Sequence, residues 1–230
     1  MNRTLPCFLA CLLVILSALP AWSGDKEKDD QTIKNATAVL QDMLNSKTVP
    51  ADLLEKAECV IVLPNVKKFG FGVGGSGGRG PISCRTGKNF EGKWSAPAML
   101  TVGGVSAGLQ VGGSSSDFVL LVMTEKAVNT ILDQKTKLGS DATAAAGPSG
   151  ATSGSPVGSD VLTYGRAKGL FAGVSLGGAS LEADKDANTR TYGKQLSLRD
   201  IVLGNAVRTQ ATQQEFVALL DKKAGKYRKG

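Results

Sequence analysis

The sequence predicts an α+β fold in which a strongly curved, mainly antiparallel, glycine-rich sheet, barrel-like in form, carries N-terminal, central and C-terminal helices. Glycine accounts for 29 of the 230 residues and punctuates short segments that alternate between apolar and other residues. Other segments repeat apolar residues every three to four positions, as amphipathic helices do. A composition that is 42% hydrophobic and 20% charged is typical of a globular chain, and excludes a disordered or polytopic membrane protein.

Residues 1–23 have the pattern of a secretory signal peptide. One positive charge at Arg3 precedes an apolar run over 5–19, and small residues at Ala21 and Ser23 predict cleavage after Ser23. The run of about 15 residues is shorter than the roughly 20 that span a bilayer, which favours cleavage over an uncleaved anchor. Cleavage removes one basic residue and no acidic one, so the net charge falls from +7 to +6.

The next segments predict helices followed by a buried strand. A charged leader over 24–31, expected to be solvated, precedes an amphipathic helix over 32–44. Pro50 is placed to begin a second helix. The apolar run 59–63, CVIVL, is then typical of a buried strand bounded by Pro64.

Three glycine-punctuated segments share one pattern: glycine, apolar, any residue, apolar, glycine, glycine. They are 70–75, 108–113 and 173–178, and 99–104 is a looser fourth copy. Each alternates with the period of a strand, and glycine pairs at strand ends permit the bulges and bends that curve a sheet. The unequal spacing between copies excludes a solenoid, and favours successive strands of one curved sheet.

The rest of the chain predicts further strands and helices. A buried strand at 117–123 is followed by a helix over 125–137 and by a long surface loop over 139–160 without core residues. Strands are expected at 161–165 and 170–182, and Ser197 is placed to cap a short helix. The segment 206–230 holds a final amphipathic helix, 212–224, and a basic tail.

Two cysteines, Cys59 and Cys84, remain after removal of the signal peptide 1–23. An even pair in an exported chain predicts a disulfide, the alternative being two buried free thiols. Cys59 opens one strand and Cys84 follows the first glycine-rich segment, so antiparallel neighbours would bring them within bonding reach.

Motifs for catalysis or cofactors are weak. The chain has no histidine, which excludes His-dependent triads and His-ligated zinc. A G-x-G-x-x-G match over 72–77 is followed by glycine and proline instead of a helix, so no nucleotide site is expected. Asp184, Asp186 and Asn188 alternate like the start of a calcium loop but lack its glycine and distal glutamate, and a hairpin turn is the preferred interpretation. We therefore expect that the protein is not an enzyme and that it binds neither a metal nor a cofactor.

Basic residues flank two of the glycine-rich segments. They are Lys67, Lys68, Arg79, Arg166 and Lys168, to which Lys34 on the first helix is added. Clustered cations attract phosphates, although they can equally form a merely solvated face. An exported chain with only 5% aromatic residues is a poor nucleic-acid binder, which leaves anionic phospholipid headgroups as the expected polyanion.

Several of these segments together resemble the SYLF-domain family of lipid-binding domains. The matching stretches are 69–75 with Arg79-Gly80, 94–98, 108–113 with the strand 117–123, 166–176, and Tyr192-Gly193. The resemblance covers roughly 35–205 and assigns 32–205 to a SYLF-like domain. It implies a compact α+β domain that binds phospholipid, with an amphipathic N-terminal helix contributing in eukaryotic members, and it carries no catalytic residues. Actin binding, known for some fungal members, is not carried over, because an exported chain would not meet actin.

The sequence thus predicts a periplasmic or secreted, non-enzymatic domain, peripheral to the membrane. It would bind anionic phospholipid through Lys34, Lys67, Lys68, Arg79, Arg166 and Lys168, aided or replaced by insertion of the 32–44 helix. The second hypothesis is a structural protein of the cell envelope that docks a protein partner. The third is an unrecognised hydrolase.

Overall fold

The computed structural model describes residues 22–133, 135–146, 159–168, 176 and 178–225, and confirms the predicted α+β class. The helices in these ranges are α1 (Trp22–Asn45), α2 (Ala51–Lys56), α3 (Glu125–Asp133), α4 (Lys185–Tyr192), α5 (Leu198–Val202) and α6 (Gln214–Lys223). The strands are β1 (Cys59–Cys84), β2 (Ala98–Val122), β3 (Thr136–Lys137), β4 (Ala144–Ala146), β5 (Val161–Lys168) and β6 (Ser180–Ala183).

β2 is the central strand of a single sheet. One of its edges pairs with β1 along almost its whole length, and the other pairs first with β6 and then with β5. β3 continues the sheet beyond β6, and β4 runs parallel to β5 at the opposite end. The other pairs are antiparallel, which confirms the mainly antiparallel sheet.

The curvature of the sheet is strongest in β1. An extended strand of 26 residues would span about 85 Å, yet the Cα atoms of its two end residues, Cys59 and Cys84, lie 4.0 Å apart. The predicted disulfide joins them. The backbone N–H of Arg85 also donates to the carbonyl oxygen of Glu58 at 2.8 Å. The β1–β2 ribbon therefore curls back on itself as a half-barrel.

Helices cover both faces of the curled sheet, which gives two apolar cores. One core lies between the sheet and the helices α3 and α5, and includes Ile61, Phe118 and Leu120. The other lies between the opposite face and the helices α1, α2 and α6, and includes Val62 and Val119. Because β1 and β2 are buried on both faces here, their apolar runs are continuous and do not alternate.

α1 begins earlier than the sequence predicts, because the charged leader is helical. Its buried face includes Ile33, Ala36 and Leu40, and four residues before Ile33 the same face carries Asp29, which is only 2% exposed. The expectation of a wholly solvated leader was wrong at this residue, since an ion pair compensates the burial of the carboxylate.

β1 continues through Pro64, where the sequence predicts an end. The pairing with β2 shifts register between Leu63 and Val66, so a bulge accommodates the proline, which has no N–H to donate to the ladder. The first strand and the first glycine-rich segment are therefore one element.

The hairpin turn expected over 184–188 was wrong. Asp184 is the N-cap of α4, and its side chain accepts from the backbone N–H of Ala187 at 3.0 Å. Asn188 is buried in the helix and its side-chain amide bonds the backbone N–H and C=O of Met99, at 2.7 and 3.0 Å. A helix N-cap, like a hairpin, is signalled by Asp and Asn, which explains the error.

The central segments also differ from prediction in detail. α3 ends at Asp133, and Thr136–Lys137 forms β3. The expected loop 139–160 contains Ala142, which is buried, and the strand β4. Residues 147–158 and most of the third glycine-rich copy, 173–178, lie outside the described residues.

The structure also locates the predicted terminal elements. Ser197 caps α5 in a capping box with Asp200, as expected. α6 realises the C-terminal amphipathic helix, whereas 226–230 of the basic tail and 1–21 of the predicted signal peptide lie outside the described residues. In the described part of the chain, no helix has the length and apolarity needed to cross a membrane.

Candidate lipid-contact surface

Two lysines that are a hundred residues apart in sequence lie in one row across the sheet. Lys67 in β1 pairs with Ser115 in β2, and Ser115 pairs on its other side with Lys168 in β5. Because neighbouring strands lie about 4.8 Å apart, the Cα atoms of Lys67 and Lys168 are separated by roughly 10 Å. Lys68 is the next residue along β1. We call Lys67, Lys68 and Lys168 the basic row.

The bulge at Pro64 determines which face of the sheet Lys67 occupies, and Lys68, the next residue of β1, lies on the opposite face. Leu63 and Val66 contribute to the same core although they are three residues apart, so the bulge reverses the alternation of β1. Lys67 and Phe69 therefore lie on the face opposite to Val66, and both are exposed. Asn65 has a positive φ of 57°, and its backbone N–H donates to the Asp117 carboxylate at 2.9 Å.

The end of the ribbon that carries the basic row has no carboxylate in its sequence. The stretches 64–80 and 99–116 contain three basic residues, Lys67, Lys68 and Arg79, and neither Asp nor Glu. Lys67 is exposed, whereas Lys68 is partly buried and this burial lowers the pKa of its ammonium group. The resulting local charge is suited to phosphate groups.

Arg79 is engaged in ion pairs within the protein. Its guanidinium forms an ion pair with the buried carboxylate of Asp29, and its Nε lies 3.7 Å from Asp184. Arg190 of α4 donates to the same Asp29 carboxylate from Nε at 2.8 Å and from Nη2 at 3.2 Å. Arg79 therefore anchors α1 to the sheet.

Arg166 is also engaged within the protein. Its Nη2 atom lies 3.1 Å from the buried carboxylate of Asp117, and its Nη1 atom lies 3.6 Å from Asp42 on α1. Asp117 thus links Arg166 of β5 to the bulge of β1. The structure gives Arg166 a role in holding three elements together at the base of the basic row.

Lys34 lines a groove to which none of the other selected basic residues contributes. It is exposed on α1 and lines an open groove of about 470 Å³. The groove is lined by Lys26, Glu27, Asp30, Gln31, Lys34 and Thr212. Two lysines face two carboxylates there, so the groove has no excess of positive charge.

The apolar face of α1 is not available at the surface. Leu40 and Met43 have no exposed area and pack in the core beneath the helix. Insertion of the 32–44 segment into a membrane would require α1 to leave this core and break the Asp29 ion pairs. The docked helix is the arrangement that the structure shows.

Sequence reasoning missed Asp29, Arg190 and Ser115. Asp29 precedes Ile33 by four residues, so the helical period extended backwards would have placed it on the buried face. No local signal identifies Arg190 or Ser115, whose roles depend on the pairing of distant elements. Across the described ranges, no group of three or more His, Cys, Asp or Glu side chains is placed to hold a metal ion.

The chain is similar to known eukaryotic proteins. It is 31% identical over 209 residues to the SH3 domain-containing YSC84-like protein 1 of Homo sapiens, covering 89% of this chain and 60% of that protein. It is 32% identical over 189 residues to the LAS seventeen-binding protein 3 of Saccharomyces cerevisiae, covering 79% of this chain and 40% of that protein. The chain therefore spans 60% or less of the length of these relatives.

A family comparison agrees with these similarities. The family model named Ysc84, described as "Las17-binding protein actin regulator", matches residues 103–223, just over half of the chain. The descriptions are those of binding and regulatory proteins and not of enzymes. The resemblance drawn from the glycine-rich segments is thereby confirmed, and the chain belongs to the Ysc84 family, whose domain is also called SYLF.

Proposed function

We propose that the protein is a non-enzymatic, peripheral binder of anionic phospholipid surfaces and that the basic row is its contact surface. One observation carries the proposal: Lys67 and Lys168 fall into a single cross-strand row at the end of the ribbon that lacks carboxylates. Each basic residue near an anionic membrane contributes about 1 kcal/mol, so a few together give measurable, salt-sensitive binding. Phospholipid binding is also what the SYLF resemblance implies.

Export is the second part of the proposal. The signal-like segment 1–23 supports it, and so does the Cys59–Cys84 disulfide, because disulfides persist in oxidising compartments and are rare in the cytosol. The protein would then act in the periplasm or outside the cell. Intact mass spectrometry of protein recovered from the cell envelope tests this, since cleavage after Ser23 leaves a chain that begins at Gly24.

Vesicle co-sedimentation tests the lipid contact. Protein lacking residues 1–23 is mixed with vesicles of phosphatidylcholine alone, or of phosphatidylcholine with phosphatidylglycerol, at low and high salt. We expect binding only to the anionic vesicles and a strong loss at high salt, because the attraction decays within about 10 Å at 0.1 M salt.

A charge-matched pair of variants makes the test specific. Lys67→Glu/Lys68→Glu should abolish binding, whereas Lys126→Glu/Lys194→Glu changes the net charge equally at exposed sites on and beside other helices and should retain most of it. Equal losses in both variants would mean that net charge alone drives adsorption. Absence of binding by the unsubstituted protein would refute the proposal.

A protein partner is the alternative, and the names of the relatives favour it. The family description and the yeast relative both refer to binding of Las17. An exported member would need a different partner, in the cell envelope. Failure of vesicle binding under all the salt conditions above would make this alternative the leading hypothesis.

A further inference from the structure

Two large apolar side chains are exposed on the same end of the ribbon as the basic row. Phe69 is 63% exposed and Val105 is 91% exposed, and they are the exposed large hydrophobic residues among those whose side chains the structure describes. An isolated exposed apolar residue is ordinary and requires no explanation. The inference drawn below rests on where these two residues lie relative to each other and to Lys67.

Phe69 and Val105 lie on one face of the sheet. A Cβ atom built on Gly75 would lie 3.7 Å from Cε2 of Phe69, so the ring of Phe69 extends over Gly75. Gly75 pairs directly with Val105, and residues directly opposite in an antiparallel ladder project to the same face. The ring of Phe69 and the side chain of Val105 therefore lie on either side of Gly75 on one exposed face, and we call these three residues the apolar tip.

The apolar tip adjoins the exposed lysine of the basic row. Lys67 and Phe69 are two residues apart in β1 and share a face, because successive side chains of a strand alternate. This is also the face that α1 covers further along the sheet, where Arg79 contacts Asp29. α1 does not cover the glycine-rich end of the β1–β2 ribbon, where Lys67, Phe69 and Val105 are exposed to solvent.

We infer that the apolar tip inserts into the interfacial region of a phospholipid bilayer while Lys67 contacts the phosphate groups above it. Adjacent apolar and cationic side chains on one exposed face match the layering of a membrane surface, in which apolar groups lie below charged headgroups. The absence of any carboxylate from 64–80 and 99–116 removes the repulsion that an anionic surface would otherwise exert there. Gly75 allows the backbone between the two side chains to approach the surface closely.

This inference rests on the proposed function and adds a second, salt-resistant component to it. Charge alone would give binding that disappears at high salt. Insertion of an aromatic and an aliphatic side chain would leave a residual affinity that salt does not remove, because burial of apolar surface is not screened.

Serine substitutions test the inference with phosphatidylcholine–phosphatidylglycerol vesicles. Phe69→Ser/Val105→Ser should weaken binding about tenfold at low salt and remove the component that persists at high salt. Ala206→Ser, at another exposed position, should bind like the unsubstituted protein. Both side chains are exposed, so the variants should keep the native melting temperature, which is measured in parallel.

A fluorescence experiment gives an independent readout of insertion. Phe69→Trp should shift its emission to shorter wavelengths when the anionic vesicles are added, and lipids brominated on their acyl chains should quench it. The spectrum of the unsubstituted protein is subtracted to remove the signal of Trp94, the native tryptophan that remains when residues 1–23 are absent.

The outcomes separate this inference from the proposed function. If the serine variants bind normally and Phe69→Trp remains unquenched, while Lys67→Glu/Lys68→Glu still abolishes binding, the charge contact stands and insertion is refuted. If the unsubstituted protein binds no vesicles, both are refuted, and the apolar tip becomes a candidate contact for a protein partner.

Discussion

Gly80 packs against the carbonyl oxygen of Val62, although it lies eighteen positions further along the same strand. A methyl group on Gly80 would overlap that oxygen and lie 3.1 Å from the Cα atom of Leu63. The obstacle is backbone on both sides of the contact, so no side-chain rotation can relieve it. The close approach is a consequence of the curl that brings the two ends of β1 together.

Gly80→Ala should therefore destabilise the protein markedly. We expect a loss of about 2 to 3 kcal/mol in the free energy of unfolding, measured by urea denaturation, because the two halves of β1 must separate. Gly77→Ala is the matched control in the same strand, where the nearest atom to an added methyl is the Val102 carbonyl oxygen at 4.0 Å. It should change stability by less than about 1 kcal/mol. Equal effects would contradict the role assigned to the curl.

The glycine pattern shows what the sequence could and could not predict. Alternation and glycine pairs correctly predicted a curved antiparallel sheet, because both are local properties of a strand. Which glycine lacks space for a side chain is decided by contacts across the curl, as for Gly80 and Val62. Similarly, the sequence selected Arg79 and Arg166 as basic residues, but their carboxylate partners come from elements distant in sequence, so their structural role could not be foreseen.

Disulfide removal tests the closure of β1 from its ends. Protein lacking residues 1–23 should show no free thiols when it is denatured without reductant, because Cys59 and Cys84 are bonded. Reduction should lower the free energy of unfolding by about 3 kcal/mol on the loop-entropy scale. Cys59→Ala/Cys84→Ala should unfold at the reduced protein's denaturant concentration and be insensitive to reductant. Two titratable thiols in the unreduced protein would contradict the pairing.

The ion pairs of Asp29 should contribute strongly to stability. Asp29→Ala leaves Arg79 and Arg190 without their shared carboxylate, and we expect a loss of about 3 kcal/mol, at the low end for a broken buried pair because both arginines retain contact with water. Asp25→Ala, on the same helix, removes an exposed pair with Lys28 and should cost less than about 0.5 kcal/mol. Thermal unfolding, monitored by circular dichroism, distinguishes the two variants. If Asp29→Ala lost no more stability than Asp25→Ala, α1 would be held by its apolar face alone.

Two buried tyrosines predict a loss of stability in alkali. Burial raises the pKa of Tyr164 and of Tyr192 to about 12, from 10.0 for the ordinary side chain. Since the folded-state pKa is raised, the stabilisation is complete below pH 10 and is lost as the pH rises toward 12. Urea denaturation at about 25 °C, repeated between pH 8 and pH 12, should show this decline as a midpoint that moves to lower urea concentration.

Phenylalanine substitutions assign the decline to these residues. The Tyr192 hydroxyl donates to the carbonyl oxygen of Pro97, so Tyr192→Phe should cost about 1 kcal/mol at neutral pH. The Tyr164 hydroxyl is buried with no hydrogen-bond partner among the described residues, so Tyr164→Phe should be neutral or stabilising by up to about 1 kcal/mol. Each variant should flatten the alkaline decline. A decline that is unchanged in both would place its origin in other groups.

The last prediction concerns which of the six selected basic residues contribute to lipid binding. Lys67 and Lys168 lie in the basic row, whereas Lys34 lines a groove that carries equal numbers of lysines and carboxylates. Lys67→Ala or Lys168→Ala should weaken binding to anionic vesicles about fivefold, the equivalent of about 1 kcal/mol for a basic residue close to an anionic membrane. Lys34→Ala should weaken it less than about twofold near 0.15 M salt, because the carboxylates of Glu27 and Asp30 in the same groove offset the charge of its lysines. Arg166→Gln separates structure from contact: its guanidinium is bonded to Asp117, so it should lower the melting temperature more than it lowers the affinity of the folded protein. A loss at Lys34 as large as at Lys67 would place the lipid surface on α1 instead of on the ribbon.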